Sequence, residues 1–156
     1  MRAGRVVSAV DFQALADLRY RIRRFLRLRE TAARSAGIEP QQYLVLLQIK
    51  GLQGRGPATI SALAERLQVR HHAVVQLVTR LTRRGLVERT RADRDRREVV
   101  VALLPAGERL LQGLAGHSIG ELTTEGPLLM ASLRRLIVQS TRGGTLSRTG
   151  RRRSER

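Results

Sequence analysis

ISALAERLQVRHHAVVQLVTRLTRRGLVERTRADRDRREVVVALLPAG, residues 60–107, carries two short helices, a tight turn and a hairpin in one unbroken run. In its first eight residues Ile60, Leu63, Ala64 and Leu67 fall at i, i+3, i+4 and i+7, the buried stripe of an α-helix. Thr59 stands just ahead of that stripe, where a hydroxyl caps a free backbone N–H. Gln68, Val69 and Arg70 then leave about three residues for a turn, a length that sets two helices at a steep angle. The second helix, HHAVVQLVTRLTRRG, buries Val74, Leu77, Val78 and Leu81 and ends at Gly85 as a left-handed cap. Leu86 to Thr90 follows as a strand, RADRDRR as a hairpin tip, and EVVVALL as a β-branched return strand.

The face of the second helix opposite its apolar stripe carries His72, Val75, Gln76, Thr79 and Arg83. Histidine and glutamine hydrogen-bond base edges in a major groove, while Val75 and the Thr79 methyl can touch a thymine methyl. Arg70 and His71 sit at the helix N-terminus, where unpaired N–H groups favour phosphate. The hairpin tip presents Arg91, Arg94, Arg96 and Arg97 with Asp93 and Asp95 between them. From Arg66 to Arg97 there are ten arginines against three acids, in a 156-residue chain of formal charge +17. Such runs are often only a solvated face, and an Asp-Arg tip can pair with itself. At the hairpin, however, pattern, position and charge agree, whereas Arg80 or Arg83 alone fits either description.

Residues 11–139 resemble the MarR family of winged-helix transcriptional regulators. The specific part is GLVERTRADRDRREVVVALLPAG, which is similar to the family's wing: a DRR triplet (Asp95, Arg96, Arg97), a strand, then an LTxxG motif. The resemblance implies that Arg97 enters the minor groove and that Asp95 orients the wing, with Arg94 and Arg96 beside them. A narrow minor groove has the enhanced negative potential that attracts such an arginine. Two positions depart from the family pattern. Leu104 replaces a threonine, removing a cap oxygen worth ~0.5–2 kcal/mol, though Pro105 fixes φ for the first helical turn. Gln68 replaces a small residue or glycine in the turn, which leaves the turn geometry less determined than the helices.

The expected fold is mainly α with a small β-hairpin wing, a winged helix-turn-helix flanked by dimerisation helices. Residues 8–36 form the N-terminal dimerisation helix, in which Phe12, Leu15, Leu18, Ile22, Phe25 and Leu26 recur at three and four. Residues 37–104 form the DNA-binding domain; its helix from Pro40 to about Gly51 is expected to bury Tyr43, Leu44, Leu47 and Leu46. Residues 105–140 supply two more helices, Pro105 to about Gly120 and Glu125 to about Ser140, the latter with Leu129, Leu133, Leu136 and Ile137 on one face. These outer stripes either fold onto their own domain or, as the resemblance implies, interleave with a second copy. Residues 141–156 contain six arginines and one glutamate with Leu146 almost alone as an apolar residue, a disordered basic tail by composition. It either adds phosphate contacts or merely solubilises the end. Glycines 107, 113, 116 and 120 either pack closely or loosen a segment beside which a small apolar effector alters the spacing of two reading heads.

Composition narrows the alternatives. With two Phe, two Tyr and no Trp there is little for the stacking platforms of single-strand and RNA binders, so double-stranded DNA is the expected partner. The lack of cysteine excludes disulfides, thiol sensing and cysteine metal ligands. His71 and His72 are adjacent and point apart, and His117 is isolated. No metal, cofactor or catalytic constellation is therefore expected, and the chain is not read as an enzyme. The apolar run before Asp11 is too short for a secretory signal and no stretch reaches membrane length, so a cytoplasmic protein without membrane contact is expected. The sequence thus points to a homodimeric, site-specific regulator of transcription, a repressor by resemblance, on a palindromic operator. The alternative is a nonspecific architectural DNA-binding protein.

Overall fold

The computed structural model describes residues 7–91 and 98–145, with side chains as far as 138. The elements run α1 (Ala9–Ser35), α2 (Pro40–Leu52), α3 (Ile60–Leu67), α4 (His71–Arg83), β1 (Val87–Arg91), β2 (Val99–Leu103) and α5 (Pro105–Thr145). They form two compact units, one of residues 29–118 and one combining the chain up to residue 28 with the chain from 119.

In the unit of residues 29–118, α2, α3 and α4 pack around Val45, Leu46, Leu63, Val74, Val78 and Leu81, all fully buried. The expected helices, turn and hairpin are all present, and Thr59 caps α3 by accepting the Ala62 N–H at 3.1 Å. β1 and β2 pair antiparallel, Val87 opposite Leu103 and Arg89 opposite Val101. The free edge of β2 is partly closed by the segment before α3: Val101 N–H donates to the Ala58 carbonyl at 2.9 Å, and Thr59 bridges Val100. The hairpin is thereby fastened to the start of the helix-turn-helix.

The helix ends explain why these elements stop where they do. Leu86 N–H returns to the Leu81 carbonyl and Gly85 N–H to Thr82, the paired bonds of a Schellman cap, with Gly85 at φ 66°. Gln68 fills the same role after α3 at φ 55°, its Val69 neighbour returning to Ala64, and its own side-chain amide donates to the Glu65 carbonyl at 2.6 Å. The turn therefore keeps glycine geometry without glycine. α5 begins at Pro105 as expected despite Leu104, whose N–H instead donates to the Leu86 carbonyl at 3.0 Å. Gly107 lies against that same carbonyl; a Cβ there would sit 2.1 Å from the oxygen.

Three sequence expectations are corrected. α2 buries Gln42, Tyr43, Val45, Leu46 and Ile49, whereas Leu44 and Leu47 stay 37% and 36% exposed. A helix whose polar residues are not gathered on one face offers two apolar stripes about equally, and its period cannot choose between them. Beyond the wing there is one helix, not two: α5 runs through residues 121–124 and past Pro127. Gly120 does not adopt a left-handed cap, and the Thr123 hydroxyl donates back to its carbonyl at 2.6 Å, a bond made within a continuing helix. Finally, α5 continues to Thr145, into the stretch assigned to the tail; residues 146–156 lie outside the described residues.

In the other unit a capping box starts α1, Ser8 Oγ and N–H donating to Asp11 Oδ2 at 2.8 and 2.9 Å. α1 and α5 run antiparallel there, tied by Arg24 to Glu125 at 3.1 Å and by Asp17 to Arg135 at 3.9 Å. The Tyr20 hydroxyl, and then Glu125, raise the Arg24 guanidinium above its ordinary pKa. Among the described residues of this unit Ala14 and Ser132 are buried; Leu18, Ile22, Phe25, Leu129 and Leu136 are half-buried, and Phe12, Leu15, Leu26, Leu133 and Ile137 are exposed.

Candidate nucleic-acid interface

α4 is amphipathic, and its buried side fixes what its outer side can present. Val74, Val78 and Leu81 anchor it in the core, so His72, Gln76 and Arg83 project to solvent, while Val75 and Thr79 are half-buried on the flank facing the hairpin. His71 and Arg70 are exposed at its N-terminus, where Arg70 is the N-cap and leaves the first N–H groups without a side-chain acceptor. That end favours an anion.

Five sequence-selected residues, His71, His72, Val75, Gln76 and Thr79, thus share one helix, with Arg70 immediately before it. The wing residues Arg94, Asp95, Arg96 and Arg97 lie outside the described residues; the strands that carry the tip, β1 and β2, are present on either side.

The arginines of this region do different work. Arg84, at the C-terminal end of α4, donates to the Gly37 carbonyl at 2.9 Å and to Gln42 Oε1 at 3.3 Å, fastening α4 to the α1–α2 turn. Arg66 donates to Gln48 Oε1 at 2.5 Å, joining α3 to α2. Arg89, missed as an individual residue by the sequence analysis, reaches from β1 to the Thr79 hydroxyl and the Val75 carbonyl of α4, the latter at 3.4 Å. A net charge count treats these three as available cation, yet each, though exposed, also bonds a neighbouring element. The strand period held the signal for Arg89: it lies two residues from the fully buried Val87, hence on the face turned toward the helices.

A cleft of about 180 Å³ opens where α3, α4 and the hairpin meet, lined by Ser61, His71, Val75, Arg89 and Glu98 among others. Among the described residues no group of three His, Asp or Glu could hold a metal ion. No helix among them is long and apolar enough to cross a membrane.

Residues 36–98 match the model of the MarR family. The HTH-type transcriptional repressor MdtR of Bacillus subtilis (strain 168) is 33% identical over 82 residues, 52% of this chain and 51% of the repressor, so the chain spans about half the length of that relative. Among solved structures, AbsC, a MarR family transcriptional regulator from Streptomyces coelicolor, superimposes with a TM-score of 0.71 at 19% identity, covering 90% of this chain and 99% of AbsC. A mutant of S. aureus MepR bound to an oligodeoxyribonucleotide aligns with a TM-score of 0.60 at 19% identity, over 78% of this chain and 93% of MepR. These structural likenesses establish the fold, and the match at 36–98 coincides with the helix-turn-helix and the first wing strand.

Proposed function

From a chain whose residues 36–98 are a MarR-family segment, set in the MarR winged-helix fold, we infer a site-specific double-stranded DNA-binding regulator of transcription that acts as a homodimer. The observation that carries this is α4: a helix anchored on one side by Val74, Val78 and Leu81, offering His72 and Gln76 to solvent and an uncapped N-terminus beside Arg70 and His71. His72, Val75, Gln76 and Thr79 read the major groove and Arg70 and His71 meet phosphate. Arg94, Arg96 and Arg97 hold the wing at the minor groove, with Asp95 orienting it. The oligonucleotide complex of a MepR mutant, which has the same fold, supports DNA as the partner, and the likeness to MdtR favours repression.

Homodimerisation is supported by the unit containing both chain ends. There Phe12 is 63% and Ile119 65% exposed, with Val10, Leu26, Met130 and Ile137 half exposed or more, and such apolar exposure marks an interaction face where it is contiguous. A homodimer whose two α4 helices meet DNA about one turn apart, ~34–36 Å, calls for a palindromic operator. Relief by a small apolar ligand remains part of the proposal. Among the described residues no atom fills the Cβ positions of Gly113, Gly116 and Gly120, so intrachain packing does not account for these glycines. Unchanged DNA affinity across a panel of phenolic and aromatic compounds removes the ligand from the scheme.

Selection from random duplexes, followed by fluorescence anisotropy of the enriched and a scrambled duplex across a salt series, tests the main reading. A preference of ~10³ or more at physiological salt supports it. Equal affinities that fall together with salt leave the architectural alternative.

A further inference from the structure

We propose that Arg89 is a positioning residue that sets the wing against the reading helix, with the Thr79 hydroxyl as its socket. This deepens the DNA-binding function proposed above and rests on it for its effect on DNA.

One terminal nitrogen of the Arg89 guanidinium serves two acceptors on α4, Thr79 Oγ1 and the Val75 carbonyl. Thr79 Oγ1 itself donates to the Val75 carbonyl at 2.7 Å. The hydroxyl therefore gives its only proton to the helix backbone and receives one from the strand, which leaves the methyl as the part of Thr79 free to meet a base. On the hairpin side Arg89 stands opposite Val101, whose N–H is bonded to Ala58 at the start of the helix-turn-helix. The strand pair is thus held at the same level from both sides, by Val101 to the segment before α3 and by Arg89 to α4. Glu98 and His71 line the cleft beside the guanidinium, so a carboxylate as well as an imidazole shares its surroundings.

A guanidinium suits this place because the two N–H bonds of that one terminal nitrogen are held in a fixed plane toward both acceptors, whereas a lysine ammonium on its flexible stem keeps the charge without that fixed geometry. A phosphate contact differs in its salt dependence, because each neutralised phosphate releases counterions and a contact within the fold releases none. The two roles separate through Arg89→Ala, Arg89→Lys, Thr79→Val and the Arg89→Ala/Thr79→Val double variant, each checked for retained helicity by circular dichroism. With the duplex selected by the unsubstituted protein, both Arg89 variants lose tenfold or more in affinity with an unchanged salt slope, and the double variant binds no worse than the weaker single one. Wild-type affinity for Arg89→Lys, together with a salt slope reduced by about 0.9 for Arg89→Ala, overturns the proposal in favour of a phosphate contact.

A second arm needs no DNA. Amide hydrogen exchange over residues 87–91 and 99–103 should quicken at least tenfold in Arg89→Ala and Thr79→Val and stay at the wild-type rate in Thr79→Ser, which keeps the hydroxyl. Unchanged exchange in Arg89→Ala overturns the strut even if the protein binds DNA well. Should the unsubstituted protein show no sequence preference, the regulatory function fails while this arm still decides the role of Arg89.

Discussion

The Leu86 carbonyl is a small junction. It accepts the Leu104 N–H and lies against Gly107, whose missing Cβ would sit 2.1 Å from the oxygen. Because the obstacle is backbone in a β1-to-α5 contact, it cannot rotate away, and Gly107→Ala should cost at least the ~1–3 kcal/mol of an overpacked interior, measured by urea unfolding. Gln68 presents the reverse case. Its left-handed backbone costs a side-chain-bearing residue about 1–2 kcal/mol, while its amide bond to Glu65 returns only part of that. Gln68→Gly should therefore stabilise the protein by about 0.5–1 kcal/mol in the same measurement. The sequence marked both positions, through the LTxxG-like run and the unusual turn residue, but not the oxygen that Gly107 must clear. The outward face of α4 was legible because apolar spacing alone orients the helix. Arg89 was hidden because arginines invite counting as charge, although the strand period already placed it on the same face as Val87.

At the scale of elements, the legible ones had a distinct polar face or a chemical stop. α3 and α4 alternate apolar stripe with polar residues and end in left-handed caps, and both lie where expected. α2 lacks a polar face, so its buried side was chosen by tertiary packing, which selected Val45 and Ile49 over Leu44 and Leu47. α5 misled differently: the sequence was read as two helices separated between Gly120 and Glu125, yet one helix runs through that stretch. Gly113 and Gly116 keep helical geometry with open space beside them. Alanine at both should stabilise the helix by about 1 kcal/mol each, seen as additive shifts in unfolding midpoint. A loss of dimer affinity in the same variants would show that a second chain approaches the helix there.

For the whole molecule, the decisive quantity is apolar surface left uncovered. Among its described residues the unit containing both chain ends buries little beyond Ala14 and Ser132, while Phe12, Tyr20, Ile119 and Met130 remain mostly exposed. Phe12→Glu combined with Ile119→Glu should halve the mass seen by light scattering and weaken DNA binding at least tenfold, because one half-site is lost. Retention of the dimer mass would place the interface elsewhere. Composition and periodicity revealed that these outer helices have apolar stripes; they could not reveal which stripes stay bare, since that depends on how each helix is rotated against its neighbour.

α4 is clamped from outside its outward face. Core residues grip one side, Arg84 fastens one end and Arg89 holds the flank, whereas the side chains of His72 and Gln76 bond nothing among the described residues. The scaffold and the lettering it displays are therefore separate inheritances. Substitutions at 72 and 76 should change the unfolding free energy by no more than about 0.5 kcal/mol while shifting the preferred duplex, so a lineage could exchange one set of target genes for another without first having to repair its fold.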